Sequence, residues 1–249
     1  SNAITMLDSL ICQFPDVFQH FAGQFIGSLI EMWLNLVGTI EESDGSRLLS
    51  LIIRLIQRIP QNSQVLLDNS ISIVEFCCSA LSECSSSFYI TDFLDLLFCL
   101  IEKIDILLPN LFCIIPFLIK FISSNVEENV CFIEEITKIL ICLSQKTQFT
   151  DNLENIEQII TFGQLILGNC QQSNAISCIF YLFASVLQVV KQNSDQFAQF
   201  TICNILRLIE NSVVDSTYLS SLYLLSTCIL VDSNLVIPLL NETIISFVL

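Results

Sequence analysis

A chain of 249 residues with 9 Lys and Arg against 25 Asp and Glu carries a formal net charge of −16, with one histidine and twelve cysteines. Such a field repels nucleic acid and anionic membranes and attracts basic partners, which excludes a DNA- or RNA-binding surface as the expected role. Hydrophobic residues make up 53% and charged residues 14%, with a mean hydropathy of +0.71, as expected of helices apolar nearly all round because neighbours sandwich them.

Ser1-Asn2-Ala3 reads as the scar of a cleaved expression tag, and the chain stops at Phe247-Val248-Leu249 inside an apolar helical pattern, so it reads as an excised piece. Residues 7–14 predict a helix end stopped at Pro15. A long helix follows over about 16–40, with Phe18, Phe21, Phe25, Leu29, Met32, Trp33 and Leu36 on one stripe. The run Glu41-Glu42-Ser43-Asp44-Gly45-Ser46 is expected to be a turn, with Gly45 left-handed and Ser46 capping a helix over 47–59 that ends before Pro60. A helix over 64–84 leads to a turn at Ser85-Ser86-Ser87, and the helical period resumes over 88–103 through Phe93, Leu96, Leu97 and Leu100.

Pro109 is placed early in a helix over 109–122, and Pro116 is expected to kink it. Ser124-x-x-Glu127 matches a capping box for a helix over 126–146. Ile156, Ile159, Ile160, Phe162, Leu165 and Ile166 mark the next helix, closing at Gly168-Asn169. Ile176, Ile179, Phe180, Phe183, Leu187 and Val190 mark another, broken at Asn193-Ser194-Asp195; a further period covers 197–209, then a break over 211–216. Tyr218, Leu219, Leu222, Leu225 and Ile229 open the following helix, and the last starts after Asp232-Ser233-Asn234 with Pro238 in its first turn.

No segment has strand character. Ser46, Phe88, Val126, Asn174 and Ser216 begin successive helix pairs about 40 residues apart, close to the roughly 40–47 residues of HEAT or armadillo units. The pattern predicts an all-α fold without β-sheet: one α-solenoid of HEAT- or armadillo-like antiparallel helix pairs over 4–249, each repeat burying its faces against its neighbours. A single globular bundle is the structural alternative, since the same loop lengths serve antiparallel bundles.

No catalytic motif is present, so an enzyme is not expected. The longest apolar windows, 175–190 and 106–119, fall short of the ~20 residues of a spanning helix, which argues against a helical membrane protein. The cysteines are spread from Cys12 to Cys228 through helical patterns with no Cys-x-x-Cys pair; His20 is the sole histidine, and Cys77-Cys78 with Cys84 lacks a fourth ligand. They read as small buried hydrophobes in a reducing compartment, and neither metal nor cofactor is expected.

Carboxylates clustered on one loop or face raise the local potential and accelerate encounter with basic partners. Candidate partner-binding residues are therefore Glu41, Glu42 and Asp44 in the acidic turn, and Glu134 and Glu135, which the helix dipole does not explain as it does Glu127 and Glu128. Asp151, Glu154 and Glu157 are spaced three apart at another helix start. Arg47, Arg54 and Arg58 form a small basic stripe that could receive a carboxylate from a neighbouring repeat or from a partner's acidic tail, the internal pairing being the expected one. The 19 phenylalanines are expected mostly in the core.

Several stretches carry a resemblance: His20-Phe21-Ala22, the acidic run from Glu41 to Ser46, Phe88-Tyr89, Phe112 with Ile114-Ile115-Pro116 and Phe117-Leu118-Ile119, 165–168, and the closing 235–240. Together they resemble the C-terminal half of a nuclear transport receptor of the importin-beta (karyopherin-beta) superfamily, nearest the importin seven and importin eight branch. The resemblance implies transport of basic cargo or an adaptor through nuclear pores, with shuttling between cytoplasm and nucleus. It also implies Ran-GTP and nucleoporin Phe-Gly repeats as partners of the full-length protein. The family's main Ran-binding repeats lie near the N-terminus, so no Ran-contact residue is carried over. A HEAT-repeat scaffold of another complex, such as a vesicle coat, a phosphatase or a chromatin complex, would share the same pattern and charge.

Overall fold

The computed structural model describes residues 2–36, 41–83, 87–105, 109–146, 149, 153–193, 199, 201–206 and 217–239, and all structural statements concern these. The expected helix end at 37–40, the turn at Ser85-Ser86, Cys84, Asp151, most of the 197–209 helix, the 211–216 break with the pair start at Ser216, and the closing residues lie outside them. The described residues contain no strand.

In order the helices are α1 (Asn2–Gln13), α2 (Pro15–Leu36), α3 (Glu42–Arg58), α4 (Gln64–Glu83), α5 (Ile90–Lys103), α6 (Ile114–Ser124), α7 (Val126–Asn129), α8 (Ile133–Ser144), α9 (Leu153–Asn169), α10 (Ser173–Asn193), α11 (Tyr218–Val231) and α12 (Ser233–Val236). Short 3₁₀ turns lead into α5, α6 and α8 and follow α12. The chain divides into two compact units, Ser1–Ile114 and Ile115–Leu249.

In the first unit α1 packs on α3 and α3 on α5, α2 packs on α4, and the sequence neighbours α1 and α2, α2 and α3, and α4 and α5 also meet. α3 carries Leu48, Leu49, Leu51, Ile52, Leu55 and Ile56 fully or almost fully buried, because it is covered by α1, α2 and α5. In the second unit α10 is flanked by α8, α9 and α11 and buries Ile179, Phe180, Leu182, Phe183, Val186 and Leu187 on one broad face. Each such side chain contributes about 1.5–3 kcal/mol of apolar transfer, which accounts for the composition of these helices.

Side-chain bonds between elements distant in sequence mostly span 41 to 46 positions, with Gln188 Nε2 to Tyr223 Oη the shorter case at 35. Arg54 donates to Asp8, and the Cys99 thiol to the Ile53 carbonyl, each across 46 positions. Lys103 Nζ donates to the Gln57 carbonyl at 2.8 Å, again 46 positions away. Asn62 meets Asp105 across 43, Ser220 meets Ser177 across 43, and Ser144 meets Ser185 across 41.

Several local expectations are corrected. Glu41–Ser46 is not a turn: α3 starts at Glu42, and Gly45 lies in its first turn, buried. A β-carbon on Gly45 would stand 2.6 Å from Tyr89 Oη, so glycine is required there by close approach of α5's leading turn rather than by a left-handed backbone. Ser46 is not the cap; its hydroxyl hydrogen-bonds Asp92 on α5. Pro116 does not kink a helix interior, because α6 begins only at Ile114 and the missing amide falls among the first four, which have no intrahelical partner. Ser124 forms no capping box. Its hydroxyl donates to the Phe121 carbonyl at 2.7 Å, and Asn125 caps α7 by accepting from the Glu128 amide at 3.4 Å. The helix expected over 126–146 is interrupted by the 3₁₀ turn Val130–Phe132.

Two described helices, Gln64–Glu83 and Ser173–Lys191, are long and apolar enough to cross a membrane, longer than the sequence windows suggested. Polar residues at their ends masked that length. Within the protein, 44% and 56% of the most apolar 18-residue stretch of each is buried.

Candidate functional site

The acidic run opens α3. Glu41 is its N-cap in extended conformation, its carbonyl accepting from the Asp44 amide at 2.9 Å and the Gly45 amide at 3.2 Å, while its carboxylate makes no capping bond. Glu41 and Glu42 are exposed. Asp44 is mostly covered, 16% of its side chain remaining accessible, and pairs with Arg47 Nη1 at 3.3 Å one turn on. Glu42 and Asp44 lie in the first turn, where the helix N-terminus favours negative charge. The run is thus one exposed pair of carboxylates beside a third that Arg47 balances.

Glu134 and Glu135 lie in the first turn of α8, in the second unit. Glu134 is exposed and accepts from Lys138 Nζ at 2.9 Å. The Lys138 hydrogen bond and charge, with a smaller hydrogen bond from the Asn174 side chain, hold its carboxyl below the usual range. Glu135 is half-buried, and its Oε2 is covered without a hydrogen-bond partner. Burial pushes the thiols of Cys131 and Cys178 up, and the Glu135 charge adds to both shifts. Glu127 and Glu128 are exposed in the first turn of α7, and Glu154 accepts from Gln158 Nε2 at 3.1 Å. The two candidate groups belong to different units.

The basic stripe is partnered internally at two of its three positions. Arg54 pairs with Asp8 of α1, which raises the guanidinium further by hydrogen bond and charge, and Arg47 pairs with Asp44. Asp8 was not singled out from the sequence; the signal available was its place 46 positions upstream of Arg54. Among the described residues no group of three His, Cys, Asp or Glu side chains could hold a metal ion. Burial pushes the thiols of Cys78, Cys99 and Cys228 up to about 12 and Cys77 well above the ordinary range, which leaves them poor nucleophiles at neutral pH.

Apolar surface remains. Phe14, Phe21 and Phe88 are exposed, while Phe93, Phe149, Phe162, Phe180 and Phe183 are fully buried. On α11 the outward positions Leu219, Tyr223 and Leu230 are exposed, and the Tyr223 ring tilts against Tyr181 of α10 at 5.6 Å. No family model matches the chain, and neither a curated protein nor a solved structure matches it.

Proposed function

We propose that the chain is an α-solenoid of HEAT- or armadillo-like antiparallel helix pairs that binds proteins, and that it serves as part of a nuclear import receptor of the importin-beta kind, gripping basic cargo or an adaptor. The observation that carries the repeat reading is the recurrence of interhelix bonds at 41 to 46 positions, matching the period of hydrophobicity in the sequence. In a repeat array each helix meets its counterpart one unit along, whereas a globular bundle has no reason to keep one separation.

The charge of −16 supports basic partners, and exposed Glu41, Glu42 and Glu134 supply carboxylates to meet them. The role is one of binding rather than catalysis. Anisotropy of a labelled Lys/Arg-rich peptide tests it. The expected result is saturable binding that weakens several-fold between about 0.05 and 0.5 M salt as screening shortens the field, and weakens again in a variant carrying E41Q, E42Q and E134Q. Binding that ignores both salt and these substitutions overturns the acidic-surface reading.

A further inference from the structure

α11 is apolar on two sides. Its inner side is buried through Leu224, Leu225, Cys228 and Val231, and its outer side carries Leu219, Tyr223, Ser226 and Leu230, all exposed. Spacings of four, three and four positions keep these four in one stripe, the seam pattern by which paired helices meet. A helix face turned to water ordinarily carries charged or polar residues. Tyr218–Val231 contains no charged residue at all, in a chain of net charge −16, and Leu219 and Leu230 stand 78% and 86% exposed.

The polar groups on the stripe are engaged within the chain: Tyr223 Oη accepts from Gln188 Nε2 at 3.4 Å, and Ser226 Oγ donates to the Tyr223 carbonyl at 2.8 Å. The stripe therefore presents no charge for a partner to match. What it presents is shape. About its midpoint it is symmetric in size, with a leucine at each end and a large residue, Tyr223, beside a small one, Ser226. A two-fold axis through that midpoint sets Leu219 of one copy against Leu230 of the other and Tyr223 against Ser226, so each ring fills the space left by a serine. A parallel pairing would instead set tyrosine on tyrosine and leave a gap between the serines.

We propose that the outer face of α11 pairs antiparallel with the same face of a second copy of this chain. A two-fold interface requires a patch complementary to itself, and the stripe meets that requirement without bringing like charges together. The charge of −16 on each copy opposes approach, but salt at about 0.15 M screens it beyond about 8 Å. Two 14-residue helices bury on the order of 1,000 Å² in total, short of the roughly 1,200–2,000 Å² of stable complexes, so the dimer is weak and reversible. The pairing does not depend on the import reading, and salt separates the two: it weakens the gripping of basic cargo and strengthens this contact.

Sedimentation equilibrium of the full chain from about 10 μM to about 1 mM, at low and high salt, is the test. A monomer–dimer equilibrium that tightens with salt is expected. Leu230→Glu sets a carboxylate against Leu219 at both ends of the interface and should raise the dissociation constant at least about tenfold. Ser226→Leu fills the space that receives Tyr223 and should also weaken the dimer, whereas unspecific apolar sticking would gain from an added leucine. Circular dichroism confirms that both variants keep their helices. A chain that stays monomeric throughout, association that weakens with salt, unchanged association in folded Leu230→Glu or stronger association in Ser226→Leu each overturns the assignment. A monomer that binds an amphipathic Lys–Leu peptide, and loses it with Leu230→Glu, gives the face to another protein and overturns it too.

Discussion

Gly163 of α9 lies so close to the Phe183 ring of α10 that a β-carbon there would approach Cε1 to 2.7 Å and overlap the ring tip. Phe183 is 1% exposed and has nowhere to retreat. Gly163→Ala should therefore destabilise the protein by about 1–3 kcal/mol through overpacking, outweighing the roughly 1 kcal/mol that alanine gains over glycine in a helix interior. Phe183→Leu opens the space, so the double variant should lose less than the two single losses combined. Urea unfolding of the four proteins checks this; strictly additive losses would show that the two positions do not touch.

Asn62, with a φ of 57°, is a non-glycine residue in the left-handed region. It is held there from both sides: its amide nitrogen donates to Asp105 Oδ2 at 2.6 Å, its side-chain oxygen accepts from the Asp105 amide at 2.7 Å, and its own amide donates to the Lys103 carbonyl at 3.0 Å. The turn between α3 and α4 is thereby clasped to the end of α5. Asn62→Ala loses the side-chain bonds and keeps an unfavourable φ, at a cost of about 1–3 kcal/mol. Asn62→Gly loses the same bonds without the strain and should cost less. The ranking in chemical denaturation is the measurement, and an equal cost would remove the backbone from the explanation.

Trp33 is the sole tryptophan and stands edge-to-face with Phe76, Tyr89 and Phe93 at centroid distances of 5.5, 5.7 and 5.1 Å. Its indole nitrogen is covered and has no hydrogen-bond partner. Trp33→Phe consequently breaks no hydrogen bond and should cost clearly less than Trp33→Ala, for which about 3–5 kcal/mol is expected. In the wild-type protein the emission should be blue-shifted and should move to the red as the first unit unfolds. A red-shifted native spectrum would contradict the burial of Trp33.

The helices were legible because their apolar residues keep the helical period: α4 at Gln64–Glu83, α5 ending at Lys103 and α11 starting at Tyr218 lie within a residue or two of the sequence expectation. The last helix starts earlier than expected: Asp232 caps α12 by accepting from the Leu235 amide at 3.0 Å, so α12 begins at Ser233 and Pro238 falls in the 3₁₀ turn that follows it rather than in its first turn. What was not legible depends on a residue distant in sequence. Gly45 resembles a turn glycine until Tyr89 is placed against it, and Ser46 resembles a cap until Asp92 is found as its partner. Local propensity carries no information on the register between helices, and that register decides both. The candidate carboxylates divide the same way: the pairing of Asp44 with Arg47 and of Glu134 with Lys138 follows from helical spacing, whereas the covered oxygen of Glu135 depends on tertiary packing.

Thiol chemistry should separate the cysteines by burial. Cys12 is exposed, whereas Cys99 and Cys228 are buried with thiols pushed up to about 12. Brief alkylation at neutral pH followed by mass spectrometry should modify Cys12 and leave Cys99 and Cys228 intact until urea is added. Modification of Cys99 or Cys228 at a rate comparable to Cys12 would contradict their placement in the core.

Asp92, in the first turn of α5, has its carboxyl raised above the usual range because burial outweighs the lowering by the Ser46 hydrogen bond. A carboxyl with a folded pKa above its unfolded value binds its proton more tightly in the folded state, so ionising it costs stability as pH rises through the folded pKa. That cost is absent below the unfolded value near 4 and fully present at neutral pH. Asp92→Asn removes the charge and keeps a side-chain oxygen for Ser46. The variant should be the more stable protein at pH 7, and the difference should shrink as pH falls through the raised folded pKa toward the unfolded value of about 4. Comparing the two proteins at each pH cancels the titration of the other carboxylates. Urea midpoints at several pH values give the answer, and a variant less stable at pH 7 than at pH 4, relative to wild type, would mean that the charged form of Asp92 is favoured in the fold.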